Sequence, residues 1–183
     1  MQKINFNPVS VNYKIVNNKP RIYMYGRAKD QHICVIDDSF TPYFLVLTNE
    51  IEEFTKKVKA INIDDNAFVV DTEIVEKKLI GKTVKAVKVN VNIPNAVPII
   101  KEIIRDWNIV ENVYEYDIHF VNRYLIDKNI IPLTTLNIEG EQTNEKFPTF
   151  KAKSIETLNQ NSNDYKVLAL DIETYNPDGK NIL

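Results

Sequence analysis

Stretches with strand period and stretches with helix period alternate from Val9 to Tyr116 of this 183-residue chain, and that alternation limits the folds open to it. Val9–Val16 is broken by the turn residues Asn17-Asn18-Lys19-Pro20, and Arg21–Arg27 follows with Ile22, Met24 and Gly26 on one parity. His32–Ile36 is a third run, Asp37-Asp38-Ser39 a turn, and Pro42–Leu47 a strongly apolar fourth run. Runs of this length separated by Asn, Pro and Asp clusters predict a β-meander over residues 9–47. Asn49 is placed to cap a helix in which Ile51, Phe54, Val58 and Ile61 recur at helical spacing. Phe68–Val75 and Thr83–Val91 read as strands. Pro94 or Asn95 opens a second helix with Val97, Ile100, Ile103/Ile104 and Trp107 on one stripe, and Ile109–Tyr116 is again strand-like. Strands mixed with two amphipathic helices predict an α+β domain over roughly the first 130 residues. The block from Phe68 to Tyr116, with the helix before it, suits a split β-α-β sheet of the kind RNA-recognition modules use. It carries no aromatic motif of that family, so RNA binding does not follow.

Composition excludes several classes of function. The formal net charge is −2, so nucleic-acid contact must come from a local basic face. The lone Cys34 rules out an internal disulfide framework and a cysteine-based zinc site. Only four glycines are present, and no Gly-rich phosphate loop can be drawn through them. The start Met-Gln-Lys-Ile-Asn lacks an apolar signal core, and no run approaches the ~20 apolar residues that span a bilayer, so a cytoplasmic location with no membrane partner is expected.

Residues 134–163 change character: Thr, Asn, Glu, Gln and Ser dominate, and Asn159-Gln160-Asn161-Ser162-Asn163 is of low complexity. This predicts a loop or connecting segment rather than core. Lys166-Val167-Leu168-Ala169-Leu170 then reads as a buried strand that ends in Asp171-Ile172-Glu173. Side chains alternate across a strand, so Asp171 and Glu173 share a face. Two readings stand side by side. Asp-x-Glu is a common solvated strand end. A pair of carboxylates fixed together also suits Mg²⁺ or Mn²⁺, which take hard oxygen ligands.

One further stretch is distinctive: Tyr114-Glu115-Tyr116-Asp117-Ile118-His119-Phe120-Val121-Asn122-Arg123-Tyr124-Leu125-Ile126-Asp127-Lys128. It reads as a strand followed by an amphipathic turn that sets Arg123 among Tyr116, Phe120 and Tyr124, where a guanidinium against aromatic rings is also good structural glue. This segment resembles one found upstream of the first exonuclease motif, Asp-x-Glu-Thr, of family B DNA polymerases. Asp171-Ile172-Glu173-Thr174 stands here at the matching distance. Phe40-Thr41-Pro42-Tyr43-Phe44 and Val75–Lys82 resemble the archaeal branch of the same family.

The resemblance implies a polymerase amino-terminal domain over residues 1–133, a connector over 134–163 and, over 164–183, the first strand of a truncated RNase H-like 3′→5′ exonuclease domain. Asp171 and Glu173 would be metal ligands of an incomplete site. Mg²⁺ or Mn²⁺ would serve the parent enzyme, and none is expected bound to this chain alone, which would be inactive by itself. Two-metal hydrolysis needs ions ~3.5–4 Å apart held by several acids. The resemblance also implies a pocket that captures template uracil, at Tyr13, Pro42, Tyr43, Pro94, Val97, Ile118, Phe120 and Arg123, with Arg123 holding the wall. The archaeal pattern often has Pro where His119 stands. Without the resemblance these residues read equally well as core. The implied partners are single-stranded template DNA, the remainder of the polymerase and a sliding clamp reached through that remainder. Lys77, Lys78, Lys82, Lys85 and Lys88 are candidate contacts to the nucleic-acid backbone, or else an ordinary solvated strand face. A stand-alone or split-subunit module that binds single-stranded nucleic acid without catalysis is the alternative.

Overall fold

The computed structural model describes residues 1–64, 67–131, 133–143, 147–158 and 168–171. Among them the chain runs β1 (Gln2–Val16), β2 (Lys19–Ala28), β3 (Gln31–Asp37), β4 (Tyr43–Leu47), α1 (Ile51–Lys59), β5 (Asn62–Asp64), β6 (Ala67–Leu79), β7 (Lys82–Val91), α2 (Ala96–Ile104), β8 (Asn112–Tyr114), α3 (Phe120–Asp127), β9 (Leu136–Thr143) and β10 (Thr149–Thr157). The expected α+β character is realised as two β units.

The first unit is a closed barrel in the order β1-β2-β3-β10-β9. Asn17 and Asn18 both take left-handed backbone (φ 50° and 59°), which closes the β1–β2 hairpin with the sense of turn that strand twist favours. β1 pairs with β2 from Asn7 to Val16 and with β9 from Gln2 to Phe6, so one long strand serves two neighbours. A bulge between Pro8 and Ser10 re-aims it. Gly26 and Gly140 sit where strands press together: a Cβ on Gly26 would stand 2.0 Å from the Asn7 carbonyl oxygen, and one on Gly140 2.0 Å from that of Lys151. Phe6, Ile22, Met24, Val35, Leu136, Ile138 and Phe150 fill the interior, and Phe120 and Tyr124 of α3 join them.

The second unit is a five-stranded antiparallel sheet, β5-β6-β7-β4-β8. Its β4-α1-β6-β7-α2-β8 course is the expected split β-α-β arrangement, with β4 as its first strand. Phe54 and Val58 of α1 and Val97, Ile100 and Ile104 of α2 pack on Phe44, Val46, Val87, Val89 and Val91. The opposite face carries Tyr43, Leu45 and Ala86.

Four sequence expectations need correction. The meander stops at β3, because β4 leaves the barrel to pair with β7 and β8. Residues 134–163, expected as a loop, contain β9 and β10, because Leu136, Ile138 and Gly140 alternate inward while the polar residues between them face out. The amphipathic turn after Tyr116 is a helix, α3, since Phe120 and Tyr124 lie one turn apart and dock on the barrel core. The run before Asp171 is not a buried strand over its described part: Leu168 and Leu170 are 81% and 83% exposed, with no described strand paired to them.

Candidate functional site

A cleft of about 220 Å³ opens where the barrel meets the sheet unit. Four separate segments line it: Tyr13 on β1, Pro42 and Tyr43 at the start of β4, Pro94, Asn95 and Val97 at the entry to α2, and Tyr116–Phe120 with Arg123 from the run into α3. All eight positions proposed for the pocket from sequence are therefore brought together. Asn95, Tyr116, Asp117 and His119 also line it and were not among the proposed pocket residues. The last three lie inside the distinctive stretch and could have been read from it; Asn95 had no such signal.

The walls are cross-braced. The Tyr13 and Phe120 rings meet edge to face at 5.0 Å, and Phe40 stands behind them, 5.5 Å from Phe120 and 5.2 Å from Tyr124. The buried Tyr124 hydroxyl donates to Asp37 Oδ2 at 3.0 Å. Asp37 Oδ1 accepts from the Ser39 backbone N–H at 2.8 Å and from its hydroxyl at 2.6 Å. α3 is thereby tied to the end of β3. Burial, reinforced by the Asp37 carboxylate, raises the Tyr124 phenol above its ordinary value.

Tyr43 is held on three sides. Its hydroxyl donates to Asp127 Oδ2 at 2.7 Å, the Lys88 ammonium lies 4.4 Å over its ring and the Arg123 guanidinium 5.0 Å over it. Burial, then the hydrogen bond to Asp127, raises its phenol as well, so the ring is neutral at ordinary pH. Arg123 is 5% exposed and forms ion pairs with Glu115 (2.8 Å) and Asp127 (3.6 Å, one helical turn on). The approach to Glu115 is close but poorly directed: Arg123 Nη2 and Glu115 Oε2 lack an aligned hydrogen bond, as does Arg123 Nε. The guanidinium packs on Tyr43, a partner not expected from sequence, while Tyr116 and Phe120 line the same cleft. It braces the wall from behind.

His119 is exposed and precedes α3 with φ −55° and ψ 134°, backbone angles that a proline also adopts. The backbone at this position is therefore compatible with a proline. Pro42 and Pro94 fix φ at two further points of the rim and offer no backbone donor there. The cleft thus combines apolar and aromatic walls with the polar residues Asn95, Asp117 and His119.

The five proposed lysines do not act from one surface. Strand register puts Lys77, Lys82 and Lys88 on the Tyr43 face of the β6–β7 hairpin, whereas Lys78 and Lys85 lie on the opposite face. Lys88 alone reaches the cleft wall, and it also faces Glu73 at 3.8 Å. Asp171 is exposed, and Glu173 lies outside the described residues. The described residues contain no group of three or more His, Cys, Asp or Glu that could hold a metal ion. No described helix is long and apolar enough to cross a membrane.

Comparison with known proteins agrees on a single family. Residues 111–182 match the model of the DNA polymerase family B exonuclease domain. DNA polymerase 1 of Pyrococcus abyssi is 34% identical over 153 residues, covering 82% of this chain and 18% of that protein. The DNA polymerase of Thermococcus kodakarensis is 30% identical over 175 residues, covering 94% and 9%. The chain thus spans less than a fifth of these relatives. The solved structure of the family B DNA polymerase from Pyrobaculum calidifontis shares the fold, with a TM-score of 0.74 at 22% identity over 86% of this chain and 21% of that one.

Proposed function

We propose that this chain, which belongs to the archaeal branch of the family B DNA polymerases, uses the cleft between barrel and sheet to read single-stranded template and capture uracil. The observation that carries the reading is the convergence of Tyr13, Pro42, Tyr43, Pro94, Val97, Ile118, Phe120 and Arg123 on one braced cleft of about 220 Å³. A slot that admits uracil and refuses thymine must exclude one methyl group by overlap, and only a wall that cannot yield does so. Pro42, Pro94 and Val97 supply stiff apolar edges. The Arg123–Tyr43–Asp127 brace keeps the aromatic side in place. Asp117 and His119 are exposed at the rim, where backbone groups of this run would pair with the edge of the base.

In the whole protein the associated activities would be DNA synthesis and 3′→5′ proofreading. Asp171 and Glu173 would there be ligands for Mg²⁺ or Mn²⁺ together with acids from elsewhere. The cleft itself is a binding site.

Single-stranded DNA containing one deoxyuridine should bind more tightly than the same strand with thymidine. A methyl-sized distinction in such a slot is worth ~1–3 kcal/mol, or about 10- to 200-fold. Val97→Gln should fill the slot and erase the preference. Equal anisotropy titrations of the two strands at low salt would refute the reading and leave these residues as packing.

A further inference from the structure

The connectivity of the barrel carries an assignment separate from the cleft. Its strand order is β1-β2-β3-β10-β9 with β1 closing on β9, β3 runs parallel to β10, and a helix, α3, enters just before β9. That is the path of the OB barrel, into which the whole sheet unit with α1 and α2 is inserted between the third strand and the helix. OB barrels lay oligonucleotides across the face of strands two and three.

Register shows what stands on that face here. Tyr23, Tyr25 and Arg27 of β2 alternate outward and pair with Ile36, Cys34 and His32 of β3. Tyr25 and Phe147 are 37% and 44% exposed, and their rings stand 6.5 Å apart at 62°. Lys14 of β1 sits 5.6 Å over the Tyr23 ring, and Lys151 of β10 pairs with Ile36 across the barrel seam. Two acids on this side are engaged: Asp38 by Arg21 (2.5 Å) and Lys151 (2.9 Å), and Glu141 by Lys153. Outside those pairs, Lys14 and Arg27 stand as cations beside the aromatic rings of this barrel face. The Asn17-Asn18 end of the face is held against the sheet unit by a hydrogen bond from Asn92 Nδ2 to Asn18 Oδ1 (3.3 Å), whereas Tyr25 and Phe147 lie partly exposed towards the other end.

We propose that this face is a second single-strand-binding surface, without base preference, on which neighbouring bases stack on Tyr25 and Phe147 while Lys14 and Arg27 meet the phosphates. Stacking on aromatic platforms tolerates any base, because every base has a π-face, and cations along the groove supply affinity without sequence information.

An oligothymidylate, which contains no uracil, isolates this surface from the cleft. Tyr25→Ala and Phe147→Ala should each weaken its binding about fivefold or more, whereas Tyr25→Phe, which keeps the ring, should bind as the parent does. Arg27→Gln should flatten the dependence of log K on log salt by about 0.7. In these variants the ratio of deoxyuridine to thymidine affinity should be unchanged, while Val97→Gln should alter that ratio and not oligothymidylate binding. Alanine variants that melt with the parent and bind oligothymidylate equally well would overturn the proposal. So would a Tyr25→Phe loss as large as that of Tyr25→Ala, which would assign Tyr25 a structural hydrogen bond instead of a stacking role.

Discussion

The sheet unit and the barrel reach similar ends by opposite routes. In the sheet unit the most distant pairing, β4 with β8, joins residues fewer than seventy positions apart (Leu45 with Tyr114), β6 and β7 form one hairpin, and α1 and α2 cover the strands beside them. In the barrel, the first strand closes on the ninth and the third lies parallel to the tenth, so residues 2–6 and 34–36 wait for partners more than a hundred positions away. Local pairing is read from periodicity, and distant pairing is not. The cleft at the seam draws Tyr13 from one unit and Tyr43, Pro94 and Val97 from the other, so it exists only when both routes succeed.

The largest effect that separates the two units is expected at Gly140. Any side chain there meets the Lys151 backbone, which cannot give way. Gly140→Val should cost about 3 kcal/mol, and a midpoint fall of roughly 6–12 °C follows for a chain of this size. Native-state hydrogen exchange should show protection lost first in β1, β9 and β10 while β6 and β7 retain theirs. Uniform loss across both units would show that they unfold as one block.

A smaller effect concerns the seam itself. Tyr43 and Tyr124 have phenols raised above the ordinary tyrosine range, first by burial and then by Asp127 and Asp37 respectively. A raised phenol favours the folded state fully below the unfolded value, and that contribution is lost as pH climbs through and beyond it. Denaturant stability should fall above about pH 10, and Tyr43→Phe should flatten the fall. Identical alkaline profiles for parent and variant would remove Tyr43 from the account.

How legible was all this from the sequence? The helices were, because Phe54 and Val58, and Val97, Ile100 and Ile104, repeat at helical spacing and are buried as a stripe. The third helix was not, since its eight residues bury only Phe120, Arg123 and Tyr124, and a buried arginine breaks the apolar pattern. β9 and β10 were hidden by their outward residues. Leu136-Asn137-Ile138-Glu139-Gly140 alternates correctly, yet its composition is that of a loop. The cleft was legible residue by residue only through the family resemblance, because Tyr13, Pro42, Val97 and Phe120 look like core until the seam is built. The split of the five lysines between two faces needed the β6–β7 register, which the sequence leaves open.

The smallest expected effect lies at His119. Its backbone is already proline-like, so His119→Pro should stabilise the chain by about 0.4–1 kcal/mol through the unfolded state and stiffen the rim of the cleft. A loss of stability would mean that its N–H, or the angles of Ile118, serve the native structure.

The most direct test of the cleft as a uracil site is methyl NMR of Val97 and Ile118 during titration with matched single strands. Both methyl signals should shift with the deoxyuridine strand and stay in place with the thymidine strand at equal occupancy of the chain. Equal shifts with both strands, or none with either, would contradict the account.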